Sequence, residues 1–126
     1  MALINRNAWK GHDNTFKLRL ESADPDTMTA PADLSLVTSM ELELRSVGDA
    51  VTTITSNAGD APPTIDWWAG ILEQGEVIFD LGQWLLDNDV AQGQYDCRLT
   101  VFSPTTSSGL VWLSWINDDL SLNVLD

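Results

Sequence analysis

The sequence predicts an all-β protein built as a single antiparallel β-sandwich of seven or eight short strands. Apolar and polar residues alternate with a period of two in several segments of about 5–9 residues, as expected for half-buried strands. Turn-forming residues separate these segments, and no strand is followed by a helix long enough for a parallel crossover. The length of 126 residues suits one domain.

The clearest strand is 93–102, in which Tyr95, Cys97, Leu99 and Val101 share one face. It opens with Gly-Gln-Tyr-Asp-Cys. An immunoglobulin-type sandwich often enters its central strand in this way, with the tyrosine hydroxyl bonded back to nearby backbone. The chain has one cysteine, which excludes an intrachain disulfide and suits a reducing compartment. We therefore expect Cys97 to be a small buried core residue in an immunoglobulin-like sandwich.

The other elements follow from the same alternation. Segment 39–46 is rich in helix formers, but its period of two favours a strand, and we expect a hairpin with 51–55. Residues 103–109 have loop composition, and helical spacing predicts a short helical turn at 81–86. The remaining predicted strands are 15–21, 76–80, 110–115 and 120–125.

Residues 1–14 are mixed and polar, so we separate them as an N-terminal arm from a sandwich domain at 15–126. Such a segment often orders only against a neighbouring subunit. An edge strand and a frayed tail are the alternatives, and the sequence does not decide between them.

The charge balance excludes several kinds of partner. Six basic residues face 19 acidic ones, which gives a net charge of −13. A phosphate-binding surface needs clustered Lys and Arg, so we expect neither nucleic acid nor an anionic membrane as a partner. Solubility is the simplest explanation of the acidity, and a basic partner is the alternative. We see no signal peptide, and Pro104 and Gly109 interrupt the uncharged stretch 99–117, which argues against a membrane span.

The sequence offers no set of residues for catalysis, so we expect no enzyme, no cofactor and no metal site. His12 is the single histidine, and it lies far in sequence from Cys97. The acidic loops 24–26 and 87–89 do not continue as a calcium-binding hand. There is no Gly-x-Ser-x-Gly elbow, phosphate loop or dinucleotide fingerprint.

Six tryptophans are many for this length, and four of them are candidates for partner binding. Trp67 and Trp68 are adjacent, so in an extended chain at most one of them points into the core. The other could be an interface anchor, a sugar-stacking ring or a cover for the end of the sandwich. Trp9 lies in the arm. Trp112 lies in strand 110–115, which is apolar on both faces and should be central or at an interface.

Taken together, these features resemble immunoglobulin-like modules of tailed-phage virions, namely head-decoration proteins and modules of baseplate and tail adaptors. The resemblance spans about residues 15–125 and lies in segments 15–20, 32–35, 40–45, 75–79, 93–95 and 109–112. Compared with true immunoglobulin domains, the chain lacks the first cysteine and an obvious tryptophan on the third strand.

The resemblance implies a non-enzymatic structural protein, synthesised in the host cytoplasm and located in the virion. It would dock onto capsid or tail subunits and be present as a homo-oligomer or in many copies in the particle. The alternative is a carbohydrate- or ligand-binding module that uses Trp67 and Trp68.

Overall fold

A computed structural model describes residues 4–20, 34–60, 64–68, 75–104, 106–115 and 119–126. Its described part is mostly β-structure, as predicted, with one short helix. The elements are β1 (Ile4–Trp9), β2 (Phe16–Arg19), β3 (Ser39–Arg45), β4 (Val51–Asn57), β5 (Ile65–Asp66), β6 (Glu76–Phe79), α1 (Gly82–Asp87), β7 (Gly93–Ser103), β8 (Thr106–Leu113) and β9 (Leu120–Leu125).

The strands form two sheets. The larger sheet has the order β1-β9-β7-β3-β4, with β8 also beside β7, and the smaller has the order β2-β6-β5. β3 pairs along most of one edge of β7, whereas the opposite edge is divided between β9 and β8.

The core lies between the inward faces of the two sheets, and the predicted alternation identifies its residues. In β3 and β7 every second side chain is buried, including Leu42, Leu44 and Cys97, each with 0% exposure. The Tyr95 hydroxyl donates a hydrogen bond to the carbonyl of Ala91 at 2.7 Å. This is the backbone anchor that the sequence at the start of the strand predicts.

β1 corrects the prediction of a purely antiparallel sandwich. It pairs in parallel with β9, from Ile4 opposite Leu120 to Trp9 opposite Leu125. Of the interpretations of residues 1–14, the edge strand is the one adopted by Ile4–Trp9. The alternation there is hard to see because Arg6 falls on the same side as Ile4 and Ala8, and of these Ala8 alone is fully buried.

The predicted loop at 103–109 is also wrong, because β8 already begins at Thr106. The Ser and Gly residues that suggested a loop lie in the strand itself: Ser107 and Ser108 are exposed, and Gly109 has a φ of +91°. The pairing of β8 with β7 shifts register twice, as at a β-bulge. β8 pairs only with β7 among the described residues, so it is not central in the sheet.

Candidate functional site

The largest exposed apolar side chains of the described residues include two that lie at the β8 end of the sandwich. Val111 on β8 is 48% exposed, and Leu36, in the segment before β3, is 66% exposed. Their β8 neighbours Leu110 and Leu113 are only half-buried. Since β8 is an edge strand, its apolar residues cannot all be covered by the sandwich, which leaves them available for contact with another molecule.

An open groove of about 230 Å³ lies between β8 and the segment that precedes β3. Its apolar lining comes from Leu36 and Val37 on one side and from Val101, Leu110 and Trp112 on the other. Ser35, Ser103 and Thr106 complete it. We call this feature the β8 groove. Its lining is largely apolar and carries no charged residue.

Glycine allows β8 to lie close against β7 at this groove. A Cβ on Gly109 would lie 2.7 Å from Cγ2 of Thr100 and 2.8 Å from Cε1 of Phe102. The positive φ of this residue is a second reason why a larger side chain would be strained there. Gly109 therefore helps to set the position of Leu110, which lines the groove.

A charged cluster on the outer face of the sheet holds Trp115, the second residue after the end of β8. The Arg98 guanidinium donates two hydrogen bonds to the Glu43 carboxylate, both at 2.8 Å. Arg45 lies 3.6 Å from the Asp96 carboxylate. The two guanidinium carbons lie 4.4 Å (Arg98) and 4.8 Å (Arg45) from the centre of the Trp115 ring. Cation–π contacts of this kind favour a fixed position for Trp115.

Trp67 and Trp68 divide as their adjacency requires, one in the core and one beside it. Trp67 is 2% exposed, and its indole N–H donates to the carbonyl of Val37 at 3.3 Å. Trp68 is half-buried and meets Trp67 edge to face, with ring centres 4.7 Å apart and planes at 89°. The two rings do not form one flat stacking surface. Trp67 instead supports the wall of the β8 groove through Val37.

The four predicted tryptophans do not form a single site. Trp112 lines the groove, Trp67 and Trp68 lie near its Val37 wall, and Trp9 is 40% exposed on β1. The alternation of the sequence does not single out Leu36 and Val37. The available signal is the run Leu34-Ser35-Leu36-Val37, which contains three apolar residues. The structure buries Leu34 at 1% exposure and leaves Leu36 exposed.

The titratable groups of the described residues show little sign of catalytic tuning. Burial raises the pKa of the Cys97 thiol to about 12, and the nearby charge of Asp96 adds to the shift. A thiol with that pKa has almost no thiolate at neutral pH and is a poor nucleophile. Burial, together with the charge of Asp13, also raises the pKa of the Asp80 carboxyl.

The described residues offer neither a metal-binding cluster nor a membrane-spanning helix. They contain no group of three or more His, Cys, Asp or Glu side chains placed to hold a metal ion. Nor do they include a helix with the length and apolar character needed to cross a membrane.

Comparison with known proteins does not assign the chain to a family. No protein-family model matches it, and no curated protein sequence is significantly similar to it.

Proposed function

We propose that the chain is a non-catalytic structural protein that docks onto other protein subunits through the β8 groove, as a component of a tailed-phage virion. The observation that carries the docking proposal is the 66% exposure of Leu36 in the apolar lining of this groove. The virion setting rests on the sequence resemblance described above.

The groove suits a protein partner because it combines an apolar recess with a strand edge. Among the described residues β8 pairs on one side only, with β7. A partner segment in extended conformation can add to such an edge through backbone hydrogen bonds while a side chain fills an adjacent recess. Apolar recesses that become fully desolvated when a partner fills them are where binding energy concentrates in protein interfaces.

The charge of the chain favours a partner of different composition over a second copy. Two copies with a net charge of −13 each repel one another. No charged residue lines the groove, so the contact itself is apolar, while the surrounding acidity favours a neutral or basic partner surface. Many copies in one particle are compatible with this, provided that each copy contacts a different subunit.

Purified virions of the phage that encodes the chain provide the test. Quantitative mass spectrometry should find the protein in particles at a fixed ratio to the major capsid or tail proteins. A high copy number would indicate head decoration, and a low one would indicate the tail or baseplate. Complete absence from purified particles would contradict the virion proposal.

Substitution of Leu36 tests the docking surface separately. Leu36 lines the groove and is 66% exposed, so the Leu36→Asp variant places a charge in the apolar contact, and we expect it to reduce incorporation into particles at least about tenfold. Val47→Asp is the matched control, because Val47 is 95% exposed in a turn away from the groove. Equal incorporation of the two variants, each with a wild-type melting temperature, would exclude the β8 groove as the docking site.

A further inference from the structure

The outer face of the larger sheet carries a row of three amide side chains at the β1 edge. The register places Asn7 of β1 opposite Asn123 of β9, and Asn123 opposite Gln94 of β7. Asn7 and Gln94 are exposed, and Asn123 is half-buried. Neighbouring strands lie about 4.8 Å apart, so the row presents amides at a spacing close to the length of a pyranose ring.

Hydrogen bonds fix some of the amides of this face, and other donor and acceptor groups of these amides have no partner among the described residues. The Asn123 side-chain nitrogen donates to the side-chain oxygens of Asn5 and Asn7 at 3.2 and 3.1 Å. These bonds use the oxygens of Asn5 and Asn7 and leave their NH₂ groups without a partner among the described residues. The Gln94 amide also has none there. The face therefore offers fixed donors together with the free donor and acceptor of Gln94.

Trp9 adds an aromatic surface to the same face. It lies two residues after Asn7 on β1, so both side chains point to the outer side of the sheet. The Trp9 side chain is 40% exposed. The other two β1 residues on this face, Asn5 and Asn7, are polar. An uncharged row of amides next to an exposed indole matches the chemistry of a neutral saccharide, which has hydroxyls on its edges and C–H groups on its faces.

We propose that this face, formed by Asn7, Asn123, Gln94 and Trp9, binds a neutral oligosaccharide, with one sugar ring on Trp9 and hydroxyls on the amides. The site lies on β1, β9 and the start of β7, apart from the β8 groove. It replaces Trp67 and Trp68 as the sugar-stacking candidates, because those rings are packed against each other and toward the core. A flat site of this size should bind weakly, with a Kd of about 1 mM.

Side-chain amide signals in ¹⁵N-labelled protein provide the test. Maltohexaose, cellohexaose and chitohexaose are titrated separately to millimolar concentration. At least one should shift the NH₂ signals of Asn7 and Gln94 and the indole N–H signal of Trp9, while the Trp67 signal stays in place. If none of the three oligosaccharides shifts these signals, the proposal is wrong.

Variants separate this site from the docking surface. We expect Trp9→Ala to weaken saccharide binding about tenfold. Gln94→Ala, which removes an exposed amide without altering β1, should weaken it as well, even if Trp9→Ala proves unstable. Leu36→Asp, the variant of the β8 groove, should leave saccharide binding unchanged. Shifts that persist undiminished in both Trp9→Ala and Gln94→Ala would overturn the assignment.

Discussion

Replacement of Gly82 by alanine tests how firmly the N-terminal segment is joined to the sandwich. Gly82 is the first residue of α1 and is buried against the turn that follows β1. A Cβ built there would lie 2.0 Å from the His12 carbonyl oxygen and 2.6 Å from the Trp9 carbonyl oxygen. Both are backbone atoms. The turn is also tied to the helix by a hydrogen bond from the Gly11 N–H to the Gly82 carbonyl at 2.8 Å.

Two effects oppose one another in this variant, and their magnitudes decide the outcome. Alanine is preferred over glycine inside a helix by about 1 kcal/mol, and by less at a first position such as Gly82. To relieve the contact the turn must move by about 1 Å, and overpacking of this kind costs roughly 1–3 kcal/mol. Loss of the hydrogen bond between Gly11 and Gly82 would add about 1 kcal/mol. We expect Gly82→Ala to lower the free energy of unfolding by about 2–3 kcal/mol.

Urea denaturation followed by tryptophan fluorescence measures this change, with an unchanged m-value as evidence that only stability is altered. Gly48→Ala is the matched control, because a Cβ there meets nothing nearer than 3.9 Å. It should change the free energy of unfolding by no more than about 0.5 kcal/mol. If Gly82→Ala were as harmless as this control, residues 9–12 would not be packed on α1, and residues 1–14 would behave as a detachable arm.

Three further variants or reactions test the core and its titrating groups. Tyr95→Phe removes the bond to Ala91 and should cost about 1 kcal/mol in a urea titration; no change would show that the bond contributes nothing. The Cys97 thiol should stay unreactive toward a disulfide reagent at pH 8 until the protein unfolds, and rapid reaction of the folded protein would contradict its burial. Because the pKa of Asp80 is raised in the fold, its ionisation disfavours the folded state as pH rises through that pKa. Asp80→Asn should therefore raise the melting temperature slightly at pH 7 but not at pH 3, and an equal effect at both values would exclude the charge as the cause.

The sequence predicts strands well wherever one face of the strand contacts solvent. Segments 39–46, 76–80 and 120–125 alternate cleanly, and each forms a strand within a residue or two of the predicted bounds. The alternation does not predict β1, because Arg6 interrupts the apolar face of this strand and because Ala8 is small. Its parallel pairing with β9 depends on a contact between the two ends of the chain, which no local pattern encodes.

The candidate site is less predictable because it depends on exposure and not on residue type. The two-sided apolar character of 110–115 indicates either a central strand or an interface. Among the described residues β8 pairs with β7 alone, which is not a central position. Nothing in the sequence places Leu36 beside Leu110, since the groove joins two segments about seventy positions apart. Adjacency predicts that at most one of Trp67 and Trp68 points into the core, but it does not say which one. The structure buries Trp67, whose indole N–H donates to the carbonyl of Val37.

In the proposed docking mode, β7 connects the groove with the core, because its two halves have different neighbours on the same edge. Its first half carries Tyr95 and pairs with β9, while its second half pairs with β8 and supplies Val101 to the groove. Val101 is 3% exposed and belongs to the core as well, so one residue of the groove lining is fixed by core packing. A preformed recess costs little reorganisation when a partner binds. A partner that fills the β8 groove of the folded chain should therefore also stabilise the whole sandwich against unfolding.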